Sequence, residues 1–278
     1  MIGLCLKRNE DVSTTSAKDE SVIAEVAKLL SDASGVLFVT GAGVSADSGL
    51  PTYRGVGGLY EAEDTEDGVS IEEALSGPMF AVRPSLTWKY LWQIGSSCVG
   101  AIPNAAHRII SEIEAEKSCV WVITQNIDGL HRAAGSRNLI EVHGNSFDLF
   151  CTECGQEYRA GELLSDYRIQ TTLPPICTQC EGIIRPKVVL FEEALFQEVV
   201  DSLIEIPEKN FDIVIAIGTS ALFHYIKLPI LWAQSTGKPT VEINPKETEI
   251  SDVCQYRIRV GAAEAMKRIR SCMGVRSS

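Results

Sequence analysis

A chain of 278 residues with 45% hydrophobic and 22% charged residues can bury about three quarters of its unfolded surface, which excludes a disordered or fibrous protein. Its 25 Lys and Arg stand against 37 Asp and Glu, a net charge of −12, so nonspecific binding to nucleic acid or an anionic membrane is disfavoured and a basic partner is attracted. No run reaches the roughly 18 apolar residues of a membrane span. Residues 1–13 resemble neither a signal peptide nor a transit peptide. Nine cysteines, an odd number with four of them in two tight pairs, indicate a reducing compartment, read here as the cytoplasm.

Ser16 and Asp19 form a capping-box pattern, and Val22, Val26, Leu29 and Leu30 line one face, which predicts a helix ended by Ser34-Gly35. Val36–Thr40 is an unbroken apolar run of the kind that makes a buried parallel strand, and Val120–Thr124, Ile213–Ile217 and Thr240–Ile243 repeat it. Each run ends in small or polar residues: Gly41-Ala42-Gly43, Gln125-Asn126, Gly218-Thr219-Ser220 and Asn244. Buried strands with polar residues at their C-terminal ends predict a doubly wound parallel α/β sheet with its ligand crevice at that edge. Helical periodicity over 104–117, 195–205 and 262–271 agrees with this. Residues 55–102, with the acidic run Glu61–Asp67 and helical segments around Trp88, and residues 144–190 break the rhythm and read as two insertions forming a smaller domain. The main domain is then 18–54, 103–143 and 191–278, behind an N-terminal arm of residues 1–17.

The first strand runs into Gly41-Ala42-Gly43-Val44-Ser45-Ala46, a G-x-G-x-x-A pattern that lets backbone approach a diphosphate closely. The acidic residue expected about 20 positions on would fall in the Glu61–Asp67 loop, so a hydride-transfer dehydrogenase is not the preferred reading. Cys151-x-x-Cys154 and Cys177-x-x-Cys180 offer four thiolates at a spacing that suits one tetrahedral zinc ion; four protein ligands leave no open position, so the ion is structural. Gln125, Asn126 and Asp128 stand at a strand end. His143 follows Ile140 and Val142 and precedes Gly144, where an imidazole with an ordinary pKa of about 6.5 suits general-base work. His107 reads as structural, His131 as either, and His224 has no evident partner.

Residues 41–55 (GAGVSADSGLPTYRG), 124–131 (TQNIDGLH), 142–144 (VHG), the two cysteine pairs, Gly218-Thr219-Ser220 and Ile243-Asn244, in that order, resemble the sirtuins, NAD-dependent protein-lysine deacylases. The resemblance implies a Rossmann-like large domain and a small zinc-binding domain, with NAD and acyl-lysine meeting in the cleft between them. It implies that Gly41, Ala42, Gly43, Asp47, Tyr53 and Arg54 line the diphosphate and nicotinamide side of NAD. Gln125, Asn126 and Asp128 would hold the nicotinamide ribose and carboxamide, and Gly218, Thr219, Ser220, Asn244 and Ala263 the adenosine half. With Asn126 and Asp128, His143 would form the catalytic set, deprotonating a ribose hydroxyl after the acyl oxygen has displaced nicotinamide. The implied products are free lysine, nicotinamide and an O-acyl-ADP-ribose. Val188, Val189 and Phe191 would meet the substrate peptide.

Three stretches depart from the family pattern. Tyr53 replaces the usual phenylalanine. Glu192 stands at the usual glycine, where a φ above zero would strain a glutamate, and Phe223-His224-Tyr225 replace Val-x-Pro. The last two fall on the segments that pair with the substrate peptide, so the NAD half is intact and the peptide half altered. The Tyr-x-x-Arg of succinyl-preferring sirtuins falls on Leu91 and Ile94. An unpaired carboxylate there would be costly, which predicts acetyl or longer apolar acyl groups. The altered segments leave a second reading, transfer of ADP-ribose to protein. A third, an NAD-binding scaffold without turnover, is countered by the presence of Asn126, Asp128 and His143. The expected partners are NAD and an acyl-lysine protein or peptide, with no specific nucleic acid and no membrane.

Overall fold

The computed structural model describes residues 17–51, 65–168 and 172–274; Ser16, Tyr53, Arg54 and residues 61–64 of the acidic run lie outside them. The helices, in chain order, are α1 (Ala17–Asp32), α2 (Ile71–Ala74), α3 (Gly77–Val82), α4 (Pro84–Cys98), α5 (Ala105–Glu116), α6 (Leu130–Ala133), α7 (Ala160–Leu163), α8 (Gln197–Glu205), α9 (His224–Ser235) and α10 (Ala262–Met273). The strands are β1 (Gly35–Thr40), β2 (Cys119–Thr124), β3 (Leu139–Glu141), β4 (Gly144–Cys151), β5 (Glu157–Arg159), β6 (Ile184–Val188), β7 (Ile213–Ile217), β8 (Thr240–Ile243) and β9 (Tyr256–Ile258).

Six of these strands form a parallel sheet in the order β3-β2-β1-β7-β8-β9. This is the doubly wound arrangement, with the winding reversing between β1 and β7 and a crevice opening there at the carboxyl ends. Successive side chains of a strand point to opposite faces. Val36 and Phe38 of β1 therefore join the core under α1, α5 and α10, while Leu37 and Val39 join the core under α8 and α9. Burial on both faces is why β1 and β7 read as unbroken apolar runs. Each such side chain, fully withdrawn from water, contributes about 1.5–3 kcal/mol. Among the elements that escape the periodicity, α6 is a single four-residue turn, β9 is a three-residue edge strand, and α9 carries Pro229 in its interior. β3 ends at Glu141, so His143 lies just past the strand.

A second, antiparallel sheet in the order β5-β4-β6 packs with α2, α3, α4 and α7 around its own core of Trp88, Leu91, Leu149, Leu164, Tyr167 and Ile184. Two stretches separated in sequence build it. The indole N–H of Trp88 on α4 donates to the Ile184 carbonyl of β6 at 2.9 Å and ties them together. Among the described residues no helix is long and apolar enough to cross a membrane.

Candidate active site

The loops after β1, β2, β7 and β8 meet at the crevice. The amides of Gly41 and Gly43 donate to the carbonyls of Ile217 and Gly218 at 3.2 and 2.8 Å. The two glycines thus let the loop after β1 lie against the loop after β7. Thr219 ties the next strand in: its hydroxyl accepts from Gln125 Nε2 at 2.6 Å and its carbonyl from Asn244 Nδ2 at 3.1 Å. Asp47 and Ala263 are also brought together, the Asp47 carboxylate accepting from the Ala263 amide at the start of α10 at 3.2 Å. Ser220 follows Thr219 at the surface.

Behind this front lies a buried polar cluster organised by Ser45. The Ser45 hydroxyl donates to Asp128 Oδ2 at 2.7 Å and accepts from Asn126 Nδ2 at 3.1 Å. Asn126 Nδ2 also donates to the Gly41 carbonyl at 3.2 Å, and Asp128 Oδ1 accepts from the Leu130 amide at 2.9 Å. Burial pushes the Asp128 carboxyl up, against those hydrogen bonds. His107 Nδ1 accepts from the Asn104 amide at 3.3 Å, closing a capping box on α5, and its Nε2 lies 3.5 Å from Ser45 Oγ. His131 Nε2 pairs with Thr40 Oγ1 at 2.9 Å. Burial lowers His107 to about 4 and His131 to about 3, so both are neutral. Sequence reasoning placed Asn126 and Asp128 at the site but missed Ser45, Thr40 and Asn104. The only local signal was the N-cap spacing of Asn104 and His107.

His143 sits at the mouth. Its Nδ1 lies 3.0 Å from the Gln125 carbonyl oxygen and its Nε2 2.8 Å from the Tyr225 hydroxyl. A carbonyl can only accept, so Nδ1 carries the proton and Nε2 presents a lone pair. Burial holds its pKa below the usual value, which keeps the ring neutral. Phe223 meets the imidazole edge-on with centroids 5.6 Å apart, and Phe223 and Tyr225 stack on each other at 5.4 Å with planes 9° apart. A cleft of about 540 Å³ is lined by Asp128 together with Arg132, Asp148, Arg159 and Arg168; His143 is not in its lining.

The four predicted metal ligands converge. The sulfur atoms of Cys151, Cys154, Cys177 and Cys180 all lie within 4.8 Å of one another, with 3.4 Å between Cys151 and Cys180 and 3.7 Å between Cys154 and Cys177. Sulfurs about 2.3 Å from a tetrahedral zinc would be about 3.8 Å apart, whereas a disulfide needs about 2.05 Å. Each pair lies on a tight turn, with Gly155 N–H donating to the Cys151 carbonyl and Glu181 N–H to the Cys177 carbonyl, both at 3.0 Å. The Tyr158 hydroxyl, 3.1 Å from Cys177 Sγ, helps pull that thiol down to about 6. The donor set fits one structural zinc ion and leaves it no catalytic position.

In the segment after β6, the Val189 amide donates to the His143 carbonyl and the Phe191 amide to the Leu75 carbonyl, both at 2.9 Å; Val188 is buried in the small core. Arg185 holds this segment, donating to both oxygens of Glu193 and to the Val188 carbonyl. Glu192 adopts φ 65°, the left-handed backbone a glycine would take without strain. Leu91 and Ile94 both pack in the small core, Leu91 buried and Ile94 partly so. Of the acidic run, Glu66 and Asp67 pair with Lys89.

A model of the Sir2 family matches residues 41–224. Over 253 residues the chain is 47% identical to NAD-dependent protein deacylase 2 of Pseudomonas aeruginosa, covering 90% of this chain and 97% of that protein. It is 36% identical over 252 residues to NAD-dependent protein deacylase of Aeropyrum pernix, covering 90% and 97%. Among solved structures, a Sir2 homologue in complex with NAD matches with a TM-score of 0.78 at 33% identity, over 89% of this chain and 93% of that one. Sir2 with a p53 peptide and NAD+ matches with a TM-score of 0.75 at 28% identity, over 89% and 96%.

Proposed function

The chain belongs to the Sir2 family, and we propose on that footing that it removes acyl groups from protein lysine, with NAD as co-substrate and His143 as general base. The observation that carries this reading is the state of His143: a neutral imidazole at the crevice mouth, its Nδ1–H fixed by the Gln125 carbonyl and its Nε2 left as the acceptor, here for the Tyr225 hydroxyl. Relatives of this chain are named NAD-dependent protein deacylases and one matched structure holds NAD and a peptide, which supports the choice of substrates.

In this reading Gly41, Ala42, Gly43, Asp47, Gly218, Thr219, Ser220, Asn244 and Ala263 cradle NAD at the switch point of the sheet. Tyr53 and Arg54 complete that set from outside the described residues. Gln125, Asn126 and Asp128 hold the nicotinamide end, their directions set by Thr219 and Ser45. His143 takes a proton from a ribose hydroxyl at Nε2 while Gln125 steadies the imidazolium that results. Cys151, Cys154, Cys177 and Cys180 hold zinc as a cross-link under the small sheet. Val188, Val189 and Phe191 run beside the substrate peptide. Leu91 and Ile94 add no cation to the small core, which favours acetyl or longer apolar acyl groups over succinyl. The clustered free thiols fit a reducing cytoplasm.

The test is nicotinamide release from NAD with an acetyl-, a decanoyl- or a succinyl-lysine peptide, or with none, against His143→Ala. Peptide-dependent release that falls at least a hundredfold in the variant is expected, a typical share for a general base. Faster turnover of the succinyl peptide refutes the acyl preference. Release without peptide, with labelled ADP-ribose left on protein, moves the assignment to ADP-ribosyl transfer.

A further inference from the structure

The hydrogen bond between Tyr225 and His143 joins two residues 82 positions apart and lies at the one nitrogen the reaction needs. Nδ1–H is committed to the Gln125 carbonyl, so Nε2 accepts and the Tyr225 hydroxyl donates. Burial raises the phenol to about 12 and lowers the imidazole, so at neutral pH each is in the protonation state this bond requires. The ring is held independently of its hydroxyl. It stacks on Phe223, whose edge contact with His143 completes an aromatic wall beside the base. Tyr225 also lies in the first turn of α9, whose residues Ile226 and Ile230 are anchored in the core under that helix.

We propose that Tyr225 is a displaceable cap on the general base: its hydroxyl occupies Nε2 of His143 in the free enzyme and gives way to the ribose hydroxyl of NAD when both substrates are seated. This rests on the deacylase reading for the identity of the incoming hydroxyl. Proton balance is unaffected by the exchange. Tyr225 keeps its proton throughout, and the proton His143 later gains comes from the ribose. The cap gives the buried lone pair a partner while the site is empty, since an unsatisfied acceptor in such a place is costly. It thereby makes the neutral tautomer with Nδ1–H the resting state. Tyr225 is a positioning residue in this scheme, acting on the reaction through His143.

Tyr225→Phe retains the stacked ring and removes only the hydroxyl. Because the lost bond exists in the free enzyme and not in the transition state, kcat/KM for NAD at saturating acetyl-lysine peptide should rise about three- to tenfold, the worth of one such bond, with kcat unchanged. In parallel, nitrogen NMR of the zinc-loaded full chain with labelled histidine follows the imidazole; with only four histidines the spectrum is simple. The His143 Nε2 signal should move toward that of an unbonded acceptor in Tyr225→Phe. In the wild type it should move on adding NAD with acetyl-lysine peptide. An Nε2 signal that does not respond to Tyr225→Phe overturns the cap. A kcat that falls, or a kcat/KM that fails to rise, overturns its displacement. Absence of nicotinamide release in the wild type would sink the deacylase reading instead, and the NMR comparison would still decide whether the phenol occupies Nε2.

Discussion

Replacing Gly218 by alanine tests whether the crevice depends on the close approach of two loops. Gly218 has φ 59°, and a Cβ there would lie 2.4 Å from both the Gly43 carbonyl carbon and the Val44 nitrogen. Those are backbone atoms of the loop whose Gly43 amide donates to the Gly218 carbonyl at 2.8 Å. No rotamer change relieves such a clash, so the loop after β1 must move by about 1 Å, and overpacking of this kind costs about 1–3 kcal/mol. Left-handed backbone adds about 1–2 kcal/mol for alanine, offset in part by about 0.4–1 kcal/mol from stiffening the unfolded chain. The net destabilisation is about 2–4 kcal/mol, or roughly 4–8 °C in Tm for a chain of this size. Gly49 supplies the control. Its φ is 81° but nothing lies within 4 Å of the Cβ position, so Gly49→Ala should lose no more than about 1.6 kcal/mol. Thermal unfolding and NAD titration calorimetry on both variants read the difference. Gly218→Ala should weaken NAD at least tenfold while Gly49→Ala leaves it nearly unchanged. Equal Tm and equal NAD affinity in the two variants would refute the argument that loop contact shapes the crevice.

The remaining predictions concern metal and pH. The purified protein should carry about one zinc per chain by elemental analysis, and the Cys151→Ala/Cys177→Ala double variant none, with the near-UV signal of Trp88 and Trp92 collapsing as the small core loosens; stoichiometric zinc in the double variant would contradict the four-sulfur site. Because burial lowers the His143 pKa and the reaction needs the neutral ring, kcat/KM should hold as pH falls through about 6.5 and drop only below it. An acid limb centred above pH 7 would show that another group is the base.

How much of this was legible in the sequence depended on distance along the chain. Strands buried on both faces announce themselves locally, so β1, β2, β7 and β8 were located to within a residue. Tyr256–Ile258 alternates with polar neighbours over only three residues, and Pro229 masks α9; neither carries a period long enough to register. Paired cysteines gave the metal cluster, because spacing alone fixes the two turns. The Ser45 cluster was invisible because its bonds to Asn126 and Asp128 bridge 81 and 83 residues. The family pattern flagged Phe223-His224-Tyr225 as unusual, but nothing in the sequence said that Tyr225 touches His143. Glu192 was the reverse case: the pattern warned of a left-handed backbone, and the chain keeps φ 65° there despite the substitution.

The pairing of Val36 with Ile213 at the middle of the large sheet sets an order on biosynthesis. Strand β1 gains β2 as a neighbour early, but its other edge stays open until the ribosome has passed residue 217. All four cysteines, both stretches of the small core and every strand of the small sheet have been made by then. Zinc capture and closure of the small sheet can therefore precede closure of the large one. Meanwhile β1 waits with an unpaired apolar edge of the kind that invites misassociation. A shortage of zinc during synthesis would leave the small core unclosed over that same interval, so metal supply should bear on the yield of soluble protein as well as on the activity of protein already folded.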